Sequence, residues 1–153
     1  MTDVIQVAAA ILNTKRYLTT MKLQKLVYYS QVYSLVKYDK PIFDDDFIAG
    51  VTGPIIYDLY KLHRGMFLLE EGFFGDSQLN DITDKDTLES ITHSIDNLGD
   101  LTGRQITELA CSEDPVIECR VGIDISDIRG GVITKQRIKE YYSNTDQQLF
   151  IDR

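Results

Sequence analysis

Apolar side chains recur every three to four positions over roughly the first forty residues, a spacing that predicts two helices. Val4, Ile5, Ala8, Ile11 and Leu12 share one helical face, and Asp3 stands where an N-cap carboxylate accepts from the first free N–H groups. The second helix begins near Thr20 and carries Leu23, Leu26, Val27, Ser30, Tyr33 and Leu35 before Lys37. Its Leu23/Leu26/Val27/Ser30 stripe is narrow, the kind that packs on other helices. Tyr28 and Tyr29 flank that stripe, so one is expected in the core and the other with its hydroxyl in water.

Asp39-Lys40-Pro41 breaks this helix, and the Asp44-Asp45-Asp46 run suits the cap of a short turn through Phe47, Ile48 and Val51. Gly50 and Gly53 make a regular helix costly there, and the residue before Pro54 is biased toward an extended shape. Pro54 itself fits the first position of a helix holding Ile55, Ile56, Leu59, Tyr60 and Leu62 and ending at Gly65. Residues 66–82 leave two readings open, a short hairpin or an irregular apolar loop. Asp84 or Asp86 can cap a helix with Leu88, Ile91, Ile95 and Leu98, closed by Gly99. Thr102 and Gln105 form a capping box before Ile106, Leu109 and Ala110, and Asp114-Pro115 stops that helix. Val116 to Ile128 reads as one short strand or a long loop. A last helix starts at Thr134 with Ile138 and Tyr141, and the polar stretch after Tyr142 is expected to fray. The sum is a mainly α fold: a compact bundle of about six helices with a minor β-hairpin as its candidate sheet. One domain is expected over residues 1–153, with a core at 5–143 and a polar tail at 144–153.

The 153 residues carry 24 acidic and 16 basic side chains, a net charge of −8. That field repels nucleic-acid backbones and anionic membranes and favours encounter with a basic protein. No apolar run is long enough to span a bilayer, and Met1-Thr-Asp-Val-Ile-Gln6 lacks the basic start of a secretion signal, so a cytoplasmic location is expected. Cys111 and Cys119 are then free thiols rather than a disulfide, and two thiols do not make a structural zinc site.

Candidate chemistry is sparse. His63 and His93 have no Cys, His or carboxylate at ligand spacing. Acids at 44–46 point different ways on a turn, and a helix N-terminus attracts acids in any case. Gly72-x-x-Gly75 and Gly130-Gly131 lack the strand–turn–helix context of a phosphate cradle. Among basic groups only Lys135/Arg137/Lys139 concentrate on one helix, which a solvated face explains. Tyrosines number nine with no tryptophan, and Tyr28, Tyr29, Tyr57 and Tyr60 gather in one stretch. Tyrosine serves both cores and protein interfaces.

Three segments in order carry a resemblance: Met21-Lys-Leu-Gln-Lys-Leu-Val-Tyr-Tyr29, then Pro41-Ile-Phe43, then Gly53-Pro-Ile-Ile-Tyr-Asp-Leu-Tyr60. They resemble the Panacea domain of SocA-like (GepA-like) antitoxins, small bacterial and phage proteins that bind and neutralise a toxin. Leu101 to Pro115 resembles the family's helix ending in Glu-Asp-Pro, and Ile133 to Tyr142 its closing Ile-x-x-Tyr-Tyr helix, for coverage of about residues 5–143. Departures occur at Ala110-Cys111 and Val116, where the family often has Thr-His and Trp, and at Gly50, where an aromatic is usual. These losses argue against shared catalysis and for a binding role. The resemblance implies a non-enzymatic antitoxin without cofactor or metal, a cognate and basic toxin as partner, and a AAA+ protease as a further partner if the protein acts as a proteolytic adaptor. It places the contact set at Lys22, Tyr29, Phe43, Gly53, Pro54, Tyr57, Tyr60 and Lys61. A phage or mobile-element protein binding a host factor through the same scaffold is the competing reading. A DNA-binding autorepressor and a hydrolase stand further back.

Overall fold

The computed structural model describes residues 1–144. Everything in it is arranged around one helix, α2 (Thr20–Tyr38), in which every residue from Leu23 to Leu35 is buried. A helix covered on all sides needs its polar residues satisfied internally. Gln24 and Gln31 stand two turns apart on one face and do this in the same way. Gln24 Oε1 accepts from Ile56 N at 2.9 Å while its Nε2 donates to Ile56 O at 3.2 Å. Gln31 Oε1 accepts from Ile42 N at 2.7 Å and its Nε2 donates to Phe43 O at 3.0 Å. Each amide thus replaces a strand partner for an extended segment lying against α2.

Before it, α1 (Val4–Lys15) is capped by Asp3, whose carboxylate accepts from Ile5 N at 2.7 Å. Val7 to Leu12 are all buried, a wider face than the predicted stripe, and Ile5 lies outside it. The helix α4 (Lys85–Leu98), capped by Asp84 and ended at Gly99, lays Ile91, Ile95 and Leu98 along α2. Ser94 Oγ reaches across to Leu26 O at 2.9 Å. Shorter helices complete the set: α3 (Tyr57–His63), α5 (Gly103–Cys111), α6 (Asp114–Arg120) and α7 (Lys135–Tyr142). Thr102 and Gln105 form the expected capping box on α5, and Thr134 caps α7.

Two small antiparallel sheets flank the helices. In one, β1 (Tyr17–Thr19) pairs with β4 (Leu68–Glu70), placing Leu18 opposite Leu69 on the buried face. In the other, β2 (Phe47–Gly50) lies between β3 (Gly53–Ile55) and β5 (Val132–Ile133).

The chain is mainly α, with seven α-helices among the described residues where about six were expected, and with two sheets in place of one hairpin. Four local expectations need correction. Pro54 does not open a helix; it sits in edge strand β3, where a missing N–H removes no ladder bond that the sheet needs. The helix starts instead at Tyr57, after Gln24 has held Ile56 extended. Asp114-Pro115 ends nothing by itself; it begins α6, with Pro115 in the first turn. Residues 66–82 contribute a strand whose partner is β1 rather than a neighbour in sequence, followed by turns and a 3-10 turn at Leu79–Asp81. Tyr28 and Tyr29 are both buried, because α2 has no solvated side at that level. The tail expected to fray falls, beyond Asn144, outside the described residues.

Candidate functional site

The Gly-Pro segment and the start of α2 meet at one end of the molecule. A two-residue turn, Val51-Thr52, joins β2 to β3, with Gly50 opposite Gly53. Gly53 adopts φ +119°, and a Cβ there would come within 3.1 Å of Lys25 Cε. This close approach drops the β-turn onto α2 and leaves a hollow between the turn, α2 and α3. Thr20, Met21, Gln24, Lys25, Thr52, Tyr60 and His63 are among the residues that line it.

Lys25 is fully buried at the floor of this hollow. Its ammonium has Thr52 Oγ1 at 3.4 Å as its hydrogen-bond acceptor and makes no ion pair among the described residues. Burial pushes its pKa down to about 8. His63 lies beside it, its Nε2 3.0 Å from Gln24 Nε2, which fixes that ring nitrogen as an acceptor. Burial first, and the nearby Lys25 charge after it, lower the His63 pKa and favour the neutral ring.

A second polar group lies deeper. Glu113, just before α6, accepts on Oε1 from Tyr142 OH at 2.8 Å and, in a short contact, from Tyr29 OH. Tyr28 OH is 3.0 Å from Tyr142 OH and must donate, since the Tyr142 hydroxyl hydrogen is engaged with Glu113 Oε1. Burial raises the carboxyl to about 7 against the opposing pull of both phenols, and it also raises the pKa of all three tyrosines. The three rings pack edge to face at centroid distances of 5.1 to 6.3 Å, which locks α2 to α6 and α7. No cluster of three or more metal-binding side chains is found among the described residues. Its chemistry is that of an internal brace.

The surface near the hollow is apolar. Phe67 is 74% exposed and Tyr17 60%, and Leu62, Met66, Leu68 and Phe73 are also exposed. Thr19, Met21, Phe67, Gly103, Arg104 and Thr107 line a shallow, mainly apolar depression adjoining the first hollow, with Met21 common to both. Thr107 Oγ1 is buried with no hydrogen-bond partner among the described residues.

The residues predicted to contact a partner divide by depth. Tyr29, Phe43, Gly53 and Pro54 are buried and shape the interior. Lys22 is half-buried, its ammonium donating to Gly99 O at 2.6 Å at the C-terminus of α4. Tyr57, Tyr60 and Lys61 come together on α3 and reach the surface. The Tyr57 and Tyr60 centroids are 5.8 Å apart, Arg129 stacks over Tyr57 at 4.0 Å, and Lys61 pairs with Asp58 at 3.1 Å. Sequence reasoning missed Lys25, Glu113 and Phe67. A signal for Lys25 was present: it is the single charged side chain between Leu23 and Val36, in a stretch otherwise rich in apolar residues. Glu113 was marked only as the first residue of the Glu-Asp-Pro that the resemblance picks out, and its role was not readable because its partners lie far away along the chain.

Neither a curated protein nor a solved structure matches the chain significantly. The sequence model of the antitoxin SocA-like Panacea domain family matches residues 23–115, from the first buried leucine of α2 to the proline of α6 and so more than half the chain. The protein therefore belongs to the SocA-like Panacea domain family of antitoxins.

Proposed function

We propose that the protein neutralises a toxin by direct complex formation and that it has no catalytic role in doing so. The observation that carries this reading is the apolar surface around the start of α2, with Phe67 at its centre and Met66, Leu68 and Tyr17 beside it. Contiguous exposed aromatic and aliphatic groups of this kind mark protein-binding sites, and aromatic anchors supply most of the energy of such contacts. Tyr60 on α3, which lines the hollow with Met21, extends the same face, and Lys61 and Lys22 give it a polar edge. Tyr29, Phe43, Gly53 and Pro54 act beneath it by holding α2 and the β-turn in place. The excess of acidic side chains favours a basic toxin by steering the encounter. Delivery of the bound toxin to a AAA+ protease is compatible with this face and would need a second surface.

Co-expression with the product of the neighbouring reading frame tests the proposal. The expected result is a stable complex surviving size-exclusion chromatography, and loss of the neighbour's toxicity. A neighbour that is harmless alone, or one that stays lethal and unbound, contradicts it. Recovery of a host protein in its place would favour the host-binding use of the scaffold.

A further inference from the structure

The hollow beneath the β2–β3 turn contains a charge without a counter-charge among the described residues. We propose that it is a binding site for a small monocarboxylate with a short branched apolar body, in which Lys25 supplies the cation that receives the carboxylate. This inference is independent of the toxin-binding reading.

An ammonium has three donors and no acceptor capacity, and burial without compensation is unfavourable. Lys25 meets one long contact to Thr52 Oγ1 and no carboxylate among the described residues, which leaves donor capacity unused at the floor of the hollow. Every other polar neighbour is either committed or unsuitable as a counter-charge. Gln24 spends its carbonyl on Ile56 N and its amide on Ile56 O and His63. His63 is held neutral, with burial as the main cause. Cys111, which faces Gly53 from α5, has a thiol pKa raised by burial and is uncharged at neutral pH. The amine itself, lowered to about 8, still carries its proton in most molecules at pH 7.

The walls decide what the carboxylate is attached to. Met21, Val51, Ile55 and Ile128 are apolar, and Gly50 adds backbone without a side chain. The hollow is about 230 Å³, enough for a branched body of a few carbons and too small for a nucleotide. The hydroxyls of Thr20, Thr52 and Tyr60 are the lining groups left to orient the second carboxylate oxygen. Opposite charges meeting in a largely dry site interact more strongly than at a surface, so one contact of this kind is enough for measurable affinity.

The same chemistry could come from a free acid or from the C-terminus of a polypeptide, and titration monitored by amide NMR separates them. The probes are 4-methylpentanoate, its amide, a short peptide ending in leucine with a free carboxylate, and the same peptide amidated. Saturable shifts at Gly50, Thr52 and Ile128 with the free acid, absent with its amide, are expected. Binding by the free-acid peptide alone assigns the site to a chain terminus. Lys25→Met keeps the volume and removes the charge, and should weaken binding roughly tenfold or more. In the wild-type chain the affinity should fall as pH rises above about 8, and the Lys25 Cε resonance should titrate at higher pH when the acid is bound. Equal binding of acid and amide, or no binding of either carboxylate by the wild-type protein, overturns the proposal without reference to any variant.

Discussion

Replacing Glu113 by Gln should make the protein more stable at high pH and leave it nearly unchanged at low pH. Burial lifts the Glu113 carboxyl from an ordinary 4.5 to about 7 in the folded chain. Between those values the native state holds a proton that the unfolded state has released, so its stability falls as pH rises through that window. Integrating that difference from about pH 5 to pH 8 gives a loss of roughly 2–3 kcal/mol. Glutamine offers a carbonyl oxygen that accepts from Tyr29 and Tyr142 as Oε1 does now, and it never ionises. His63 and His93, both lowered first by burial, act in the opposite direction, gaining stability as pH rises, and Lys25 does so at higher pH. Those contributions are common to both proteins and cancel in the difference. The assay is urea denaturation of wild type and Glu113→Gln at half-unit pH steps. The two curves should coincide near pH 5 and diverge by about 2 kcal/mol or more at pH 8. Parallel curves would mean that the carboxylate is already ionised in the fold, and would refute the reasoning.

Other substitutions test other parts of the scaffold. Gln31→Leu strands Ile42 N–H and Phe43 C=O against an apolar helix and should cost roughly 2–4 kcal/mol in urea denaturation, with no pH dependence. Gly53→Ala forces an alanine to φ +119° and its methyl onto Lys25 Cε, and should lower stability by about 1–3 kcal/mol in a thermal melt. Phe67→Glu changes a side chain standing mostly in water and should alter the melting midpoint by no more than the equivalent of ~0.5 kcal/mol.

Much of the helical framework was legible because its signals are local. Asp3, Asp84, Thr102 and Thr134 each announce a helix start through one side chain and the two or three residues that follow. What escaped is non-local. The strand at Leu68–Glu70 exists because Tyr17–Thr19 lies beside it, and β5 because β2 lies beside it. No spacing within residues 66–82 or 116–133 contains that information. The burial of both Tyr28 and Tyr29 has the same origin: α7 and Glu113 arrive from the far end of the chain and supply partners for hydroxyls that would otherwise seek water. At the candidate site, most residues of the segments that bear the family resemblance are buried and lie beneath the proposed face. Its most exposed member, Phe67, lies just beyond them, in a stretch whose pattern is neither helical nor alternating.

Growth rescue tests the binding account most directly. Cells expressing the neighbouring reading frame, as the proposed toxin, would receive either the wild-type chain or Phe67→Glu, with soluble levels of the two matched. The wild-type chain should restore growth, and the variant, folded but with a charge in the middle of its apolar face, should fail to do so. Full rescue by Phe67→Glu would remove that face from the mechanism, and no rescue by the wild-type chain would contradict the antitoxin role itself.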